Sequence, residues 1–337
     1  MVLVTGATGL VGSHLVLHLL ENGEQVSAIY RNEKSIVKTK SLFELYNKEL
    51  LFDRIQWIQA DINDIPSLEI AFQNIEYVYH CAGFISFEPT DEEKIRKINI
   101  EGTANIVNFC LAKNVKKLCH VSSIAALGDL PKQVTLQQKT IITEETDWNP
   151  EKPHSDYAIS KYGAEMEIWR AQQEGLQIVI VNPSVILGPG FWKEGSGKIV
   201  ATVAKGTKYY TKGSTGFVAV TDVVKIMSLL MKGDFSGQRY ILTAENIIYK
   251  DLIEVIAESL NVKKPTVYAQ KWMTEIAWRL DWLRAMLFFS KRKLSKAVAR
   301  SLHTSDFYSN EKIQQELGFE FIPIKTYIPE IVKHYKT

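Results

Sequence analysis

Tyr157 and Lys161 stand four residues apart in DYAISKYGAE. On a helix, positions four apart share one face, so the lysine ammonium can lie near the tyrosine hydroxyl. A free tyrosine titrates near pH ~10, and a neighbouring positive charge favours its anion. Each unit of lowering corresponds to about 1.4 kcal/mol, and a lowered phenol can donate or accept a proton near neutral pH. The spacing alone arises by chance in many helices, so it needs support from elsewhere in the chain. CHVSSIAALG offers some, because it places Ser122 and Ser123 at the end of an apolar run. Such serines often just end a buried strand. In the functional reading Ser123 donates to a substrate oxygen and steadies developing negative charge.

A second pattern lies at the N-terminus, where VTGATGLVGSHLV spaces Gly6, Gly9 and Gly12 by three. Met1–Val4 before it suits a short buried strand. Val11, Leu15, Leu19 and Leu20 after it mark an amphipathic helix from Leu10 that ends at Asn22-Gly23. A glycine-rich turn between strand and helix lets the backbone approach a phosphate, and the N–H groups of the first helical turn point at that anion. A tight turn with no ligand is the plain alternative. The strand-then-helix context favours nucleotide binding.

These residues need a scaffold, and the first half supplies an alternating one. Strands are expected at Gln25–Tyr30, Ile55–Gln59, Tyr77–Cys81, Lys117–Ser122 and Gln177–Asn182, with helices notably over Glu92–Lys113 and Ser155–Glu174. Alternation of this kind predicts a doubly wound α/β fold, a parallel sheet with helices on both faces. Asp61, Cys81 and Ser122 then stand at carboxyl ends of strands, where such sheets bind ligands. After Pro183 the pattern changes: ILGPGFWKEGSGK reads as a long loop, GFVAVTDVVKIMSLLM as a strand and helix, GQRYILTA as a strand, and the remainder as mostly helical. We expect residues 1–183 to form a dinucleotide-binding domain, with 217–243 and 304–318 returning to it. Residues 184–216 and 244–303 would form a smaller, mainly helical substrate domain.

The 337 residues carry 40 basic and 38 acidic side chains, a formal charge of +2. That balance gives no reason to expect nucleic acid or a strongly acidic partner. Cys81, Cys110 and Cys119 show no metal-ligand spacing, so no metal is expected, and the odd count fits a reducing cytoplasm. The N-terminal strand leaves no room for a signal peptide, and no apolar run is long enough to span a bilayer.

Taken together, the motifs resemble the extended branch of the short-chain dehydrogenase/reductase family, which includes NAD-dependent epimerases and dehydratases. The matching pieces are T-G-x-x-G-x-x-G at Thr5–Gly12, Asp61-Ile62, HCAG at His80–Gly83 and NIEGT at Asn99–Thr103. VSS at Val121–Ser123, Tyr157 with Lys161, NPSVILGPG at Asn182–Gly190 and VTDVV at Val220–Val224 complete the set in family order. The resemblance implies a Rossmann domain, a bound nicotinamide dinucleotide and a Ser–Tyr–Lys catalytic group. Tyr157 would be the acid/base, Lys161 would hold the nicotinamide ribose and lower the tyrosine pKa, and Ser123 would bind the reacting oxygen. Gly6, Thr8, Gly9, Leu10, Val11 and Gly12 would cradle the phosphates. Asp61 with Ile62 would reach the adenine, and Ala82 and Gly83 would line the groove. Asn99 would sit near the cofactor, and Pro183 and Ser184 would border the nicotinamide. A homodimer through the two long helices is also implied.

NAD-preferring members usually place an acid at the end of the second strand. Here that place holds Tyr30 and then Arg31, whose planar fork suits a phosphate, with Lys34 as a weaker contact. NADP is therefore expected, with NAD as the alternative. VNPSVILGPG is most similar to the dihydroflavonol-reductase-like group, which implies reduction of a ketone or aldehyde. Ile124-Ala125 after Ser123 replace the Asp-Glu pair of dehydratases. Phe84, Ile85, Ser86, Phe87, Leu187, Phe191 and Trp192 are candidates for a substrate pocket, which makes a hydrophobic carbonyl or alcohol the expected small-molecule partner. A nucleotide-sugar epimerase and a non-catalytic NADP-binding regulator are the other readings.

KWMTEIAWRLDWLRAMLFFSKRKLSK, Lys271 to Lys296, is the least family-like stretch. Trp272, Ile276, Leu280, Leu283 and Leu287 keep helical spacing, and Trp278, Trp282, Met286 and Phe289 widen the face. Such a stripe most often packs into a core. Here we expect it to close over the substrate pocket. Docking on a membrane is the third reading, since Lys291, Arg292, Lys293 and Lys296 follow directly.

Overall fold

The structure is a computed structural model that describes residues 1–128, 141–290 and 292–335. Its first strands are β1 (Val2–Thr5), β2 (Val26–Tyr30), β3 (Gln56–Gln59), β4 (Tyr77–His80), β5 (Lys117–Val121) and β6 (Gln177–Pro183). Between them run α1 (Leu10–Glu21), α2 (Ile36–Leu45), α3 (Glu49–Phe52), α4 (Ile65–Ala71), α5 (Glu92–Arg96), α6 (Gly102–Ala112) and α7 (Asp156–Gln173). The later strands are β7 (Val185–Leu187), β8 (Tyr209–Tyr210), β9 (Ser214–Ala219), β10 (Gln238–Leu242), β11 (Glu245–Ile248) and β12 (Val267–Tyr268). The later helices are α8 (Gly197–Ala204), α9 (Val220–Lys232), α10 (Tyr249–Ser259), α11 (Lys271–Leu287), α12 (Lys296–Ser301), α13 (Glu311–Leu317) and α14 (Ile324–Val332).

Seven strands form one parallel sheet in the order β10-β6-β5-β4-β1-β2-β3. Successive side chains along a strand point to opposite faces. Val4, Tyr79, Cys119 and Val179 therefore join the core beneath α1 and α9, while Leu3, Val78, Leu118 and Ile178 join the core beneath α4, α6 and α7. Both faces are covered, so these strands read as continuous apolar runs rather than as alternating ones. The doubly wound α/β architecture expected from the sequence is present.

β1 lies between β4 and β2, so the chain departs from it to both sides. This reversal opens a crevice at the carboxyl ends of β1 and β4, the place where open α/β sheets take ligands. Lys117 at the start of β5 is almost wholly buried, and its Nζ donates to the carbonyls of Leu230 (2.7 Å) and Gly233 (2.9 Å). A cation there satisfies carbonyls at the end of α9 that have no helical partner, and it holds α9 on the sheet.

Several local expectations are corrected. The loop expected over residues 186–198 is present but shorter, since β7 takes its first two residues and α8 its last two; Ser184 turns the chain by bonding Leu242, and the apolar residues after it pair with β9. The parts expected to be mainly helical also hold strands: β11-β9-β7 and β12-β8 form two small sheets, and β9, expected as a strand returning to the dinucleotide-binding domain, pairs in the first of these rather than in the central sheet. The helix expected over Glu92–Lys113 has a π-turn at Lys97–Glu101, between α5 and α6. Finally, the stripe of α11, expected to close over the substrate pocket, faces solvent: Thr274 is the helix's one buried residue, and Trp272, Ile276, Leu280, Leu283 and Leu287 are exposed. Lys291 lies outside the described residues.

Candidate active site

The three glycines of the turn differ in their surroundings. Gly6 has φ +67°, and a Cβ there would lie 2.6 Å from the Ala82 nitrogen at the end of β4. A Cβ on Gly12 would lie 2.2 Å from the Gly6 carbonyl oxygen. Both positions are closed by backbone. Gly9 differs, since a Cβ there would meet only the Gly6 oxygen, at 3.4 Å. No packing constraint within the protein requires glycine there.

Gly9 is also the N-cap of α1, with no capping side chain and no acid in the first turn. Ser13 N–H makes the first bond back to Gly9 (2.9 Å). The N–H groups of Leu10, Val11 and Gly12 therefore have no helical partner and suit an anion. Thr8 lies in the turn before them, and Thr39 on α2 pins it by donating to the Ala7 carbonyl (3.0 Å). These features fit a dinucleotide pyrophosphate. Arg31 and Asp61 follow β2 and β3 at the far side, 3.9 Å apart and both well exposed. Ile62, beside Asp61, is buried.

At the end of β4, Thr5 Oγ1 contacts His80 Nδ1 (2.7 Å) and accepts from Ala82 N–H (3.1 Å). His80 Nε2 contacts Thr103 Oγ1 on α6 (3.0 Å), and burial pushes its imidazole down to about 3. Asn99, on the π-turn, accepts from Phe84 N–H (2.7 Å) and donates to the Phe84 carbonyl (3.0 Å) and to Ser160 (2.9 Å). The widened turn aims this side chain at the loop that follows Gly83. Gly83 itself is exposed, and a Cβ on it would stand 4.0 Å from Lys161 Nζ.

Ser155 caps α7 by accepting from Ala158 N–H (3.1 Å), which sets Tyr157 in the first turn and Lys161 one turn on. The Tyr157 hydroxyl lies beside Ser123, which follows β5. Ser123 is itself fixed by Ala125 N–H (3.1 Å). Burial raises the Tyr157 pKa, and the neighbouring Ser123 hydroxyl only partly opposes it. The expected lowering by Lys161 is absent here. Its Nζ donates to the Val121 carbonyl (2.8 Å), and burial pulls the ammonium down to about 8 against the pull of Glu165. Pro183 ends β6, and Ser184 is buried against the Leu242 carbonyl (3.1 Å).

Glu165 was not singled out in the sequence. It continues the Tyr157–Lys161 spacing by four more residues, and that was the available signal. Its carboxylate is fully buried, accepts from Asn182 Nδ2 (2.5 Å) and lies 3.5 Å from Arg239. The substrate candidates divide. Phe87 meets the Tyr157 ring edge-on at 5.6 Å. Phe84 lies under the Lys94 ammonium, and Ser86 donates to Asp91 (2.6 Å). Phe191 is buried, and Trp192 packs edge-on against Tyr335 in the second core. No contact joins either of them to Phe87 beside Tyr157 among the described residues.

Residues 2–242 match the sequence model of the NAD dependent epimerase/dehydratase family. The chain belongs to that family. It is an enzyme of the NAD(P)-dependent oxidoreductase kind, of the extended short-chain type. "Sterol demethylase protein B" of Methylococcus capsulatus is 27% identical over 96% of this chain and 94% of the relative. "Putative dihydroflavonol 4-reductase" of Synechocystis is 29% identical over 99% of this chain and 94% of the relative. Among solved structures, the crystal structure of gox2253 superposes with a TM-score of 0.78 at 26% identity, covering 99% and 97% of the two chains. No helix among the described residues is long and apolar enough to cross a membrane.

Two outcomes follow from this geometry. Gly9→Ala should keep the melting temperature within about 2 °C but weaken dinucleotide binding about tenfold or more. Gly12→Ala should destabilise the fold by about 1–3 kcal/mol or more, because its new Cβ meets backbone. Calorimetry and a binding titration on both variants check the contrast, and equal loss of stability would refute it. The second outcome concerns Lys161, which releases its proton near 8 when folded and near 10.5 when unfolded. Between those values the unfolded chain binds the extra proton, so stability rises with pH across that window. Lys161→Met should therefore be at least as stable as the parent at pH ~7, with the gap closing as pH rises through the window. Urea denaturation across pH reads this directly, and a constant gap would show that the lysine is not the group responsible.

Proposed function

We propose that this enzyme reduces a hydrophobic ketone or aldehyde to the alcohol with NADPH, and runs the reverse oxidation with NADP. The observation that carries the proposal is the Tyr157 hydroxyl, kept protonated by burial, set beside Ser123 and walled on one side by Phe87. Two hydroxyls side by side can hold one carbonyl oxygen and stabilise the charge that develops on it. Tyr157 then gives its proton to that oxygen. A bound nicotinamide supplies the hydride to the carbonyl carbon. Lys161 has donors beyond the one given to Val121, and these serve the ribose and the phenolate left on Tyr157. The names of the two relatives, a sterol-processing protein and a flavonoid reductase, support a lipophilic substrate.

Arg31 supports NADP over NAD. Its ion pair with Asp61 is long and exposed, so it contributes little and leaves the guanidinium available to a 2′-phosphate. We further infer a homodimer built on the α5–α6 helix and α7, where Met166 is exposed. Cys81, Cys110 and Cys119 are all unpaired, which fits the reducing cytoplasm.

A panel of aldehydes, ketones and nucleotide sugars, followed by nicotinamide absorbance with NADPH and NADH, tests the reaction. Tyr157→Phe should bind NADPH normally and lose turnover by about 100-fold or more, the usual worth of a positioned acid. Normal turnover in that variant would remove Tyr157 from the mechanism. Arg31→Ala should erase most of the preference for NADPH, and equal affinities in the parent would overturn the NADP assignment. Light scattering that gives a monomer mass at micromolar concentration would rule out the dimer.

A further inference from the structure

Helix α11 is inside out. At roughly 100° per residue, Thr274 and Asp281 fall on the side opposite Trp272, Ile276, Leu280, Leu283 and Leu287. The polar side faces the protein: Thr274 Oγ1 meets His303 Nε2 on the turn after α12 (2.8 Å), and the Asp281 side chain is only 13% exposed. The apolar side faces solvent, with Trp272, Leu280 and Leu287 each 61% exposed. Beyond the helix end, Phe288 is 75% exposed and Phe289 98% exposed, the latter at φ +46°. A contiguous apolar surface of this kind marks an interaction site.

Charge indicates what covers it. The stretch from Lys271 to Lys296 holds seven cations against two acids, in a chain whose formal charge is only +2. Both acids are already engaged. Glu275 pairs with Arg279 (2.8 Å) and Arg300 (3.2 Å), and Asp281 pairs with Arg284 (2.8 Å) and accepts from the backbone of Lys293 and Leu294. They do not neutralise Lys271, Lys293 or Lys296. Cores of protein–protein interfaces are poor in lysine. A helix with Trp, Leu and Phe on one face and cations around it suits the plane of an anionic bilayer, where each cation near the surface adds attraction.

We propose that α11 with Phe288 and Phe289 docks this enzyme on the surface of an anionic lipid bilayer. The segment after the helix reaches the active site: Arg292 pairs with Glu88 (3.0 Å), in the same loop as Phe87 beside Tyr157. Docking would bring the mouth of the site to the lipid, a consequence that rests on the hydrophobic-substrate reading above. The docking itself does not rest on it.

The test is co-sedimentation of the full-length enzyme with sucrose-loaded vesicles of phosphatidylcholine, with and without phosphatidylserine, at low and high salt. The enzyme should pellet with the phosphatidylserine vesicles at low salt, with a blue shift of tryptophan fluorescence, and should be released by salt. Leu280→Ser with Leu283→Ser should weaken that binding about tenfold or more, with NADPH affinity and melting temperature unchanged. Failure to pellet with the anionic vesicles overturns the proposal, as does pelleting that the paired substitution leaves intact. A lipid-free dimer that the same substitutions split into monomers also overturns it, and assigns the stripe to a second copy of the chain. None of these readouts depends on turnover, so they stand apart from the identity of the substrate.

Discussion

The site depends on how closely two strand ends approach one another at Gly6. The turn after β1 presses against the start of the loop after β4, and no side chain fits between them. The contact is cross-linked by hydrogen bonds from Ala82 N–H to Thr5, Thr5 to His80, and His80 to Thr103 on α6. Because His80 is held neutral, this chain carries no charge into the crevice. Moving either strand end would displace the N-terminus of α1 on one side and the Gly83–Phe87 loop on the other. The phosphate end and the tyrosine end are thus positioned by one junction.

A second constraint is charge held away from water beneath α7. Lys161 and Glu165 are buried one turn apart, and burial opposes ionisation of both. Their partners come from other elements: Val121 on β5, Asn182 on β6 and Arg239 on β10. Arg239 in turn donates through Nε to the Glu144 carbonyl (2.8 Å), and the Glu144 carboxylate accepts from Ile241 N–H (2.8 Å). Removing Arg239 would leave the Glu165 carboxylate buried without its paired cation, which costs more than the pair contributes when whole. The arrangement is a poor source of stability and a good means of fixing one register for α7 over the sheet.

Much of this was legible because the physics is local. Strands buried on both faces betray themselves as apolar runs, and the glycine spacing, the VSS strand end and the Tyr157–Lys161 turn each follow from near neighbours in sequence. What was missed depends on distant partners. Glu165 acquires meaning only when Asn182 and Arg239 close on it, and Asn99, singled out in the sequence, has its contacts with Phe84 only through the π-turn. The phenol of Tyr157 follows burial rather than the nearby ammonium, because Lys161 is turned toward Val121. Helical spacing in α11 gave an apolar face, but periodicity does not say whether that face points inward. Trp192 was apolar for the sake of the core it shares with Tyr335.

The central sheet is finished late. β6 pairs on one edge with β5 and on the other with β10, whose residues follow only after β7, α8, β9 and α9. During synthesis the free edge of β6 must therefore wait for roughly 60 further residues, on the order of several seconds at about 5–20 residues per second. An unpaired, apolar strand edge is a template for other strands. The nascent chain is thus most open to wrong pairing in that interval, and the arrival of Gln238–Leu242 both completes the sheet and ends the exposure.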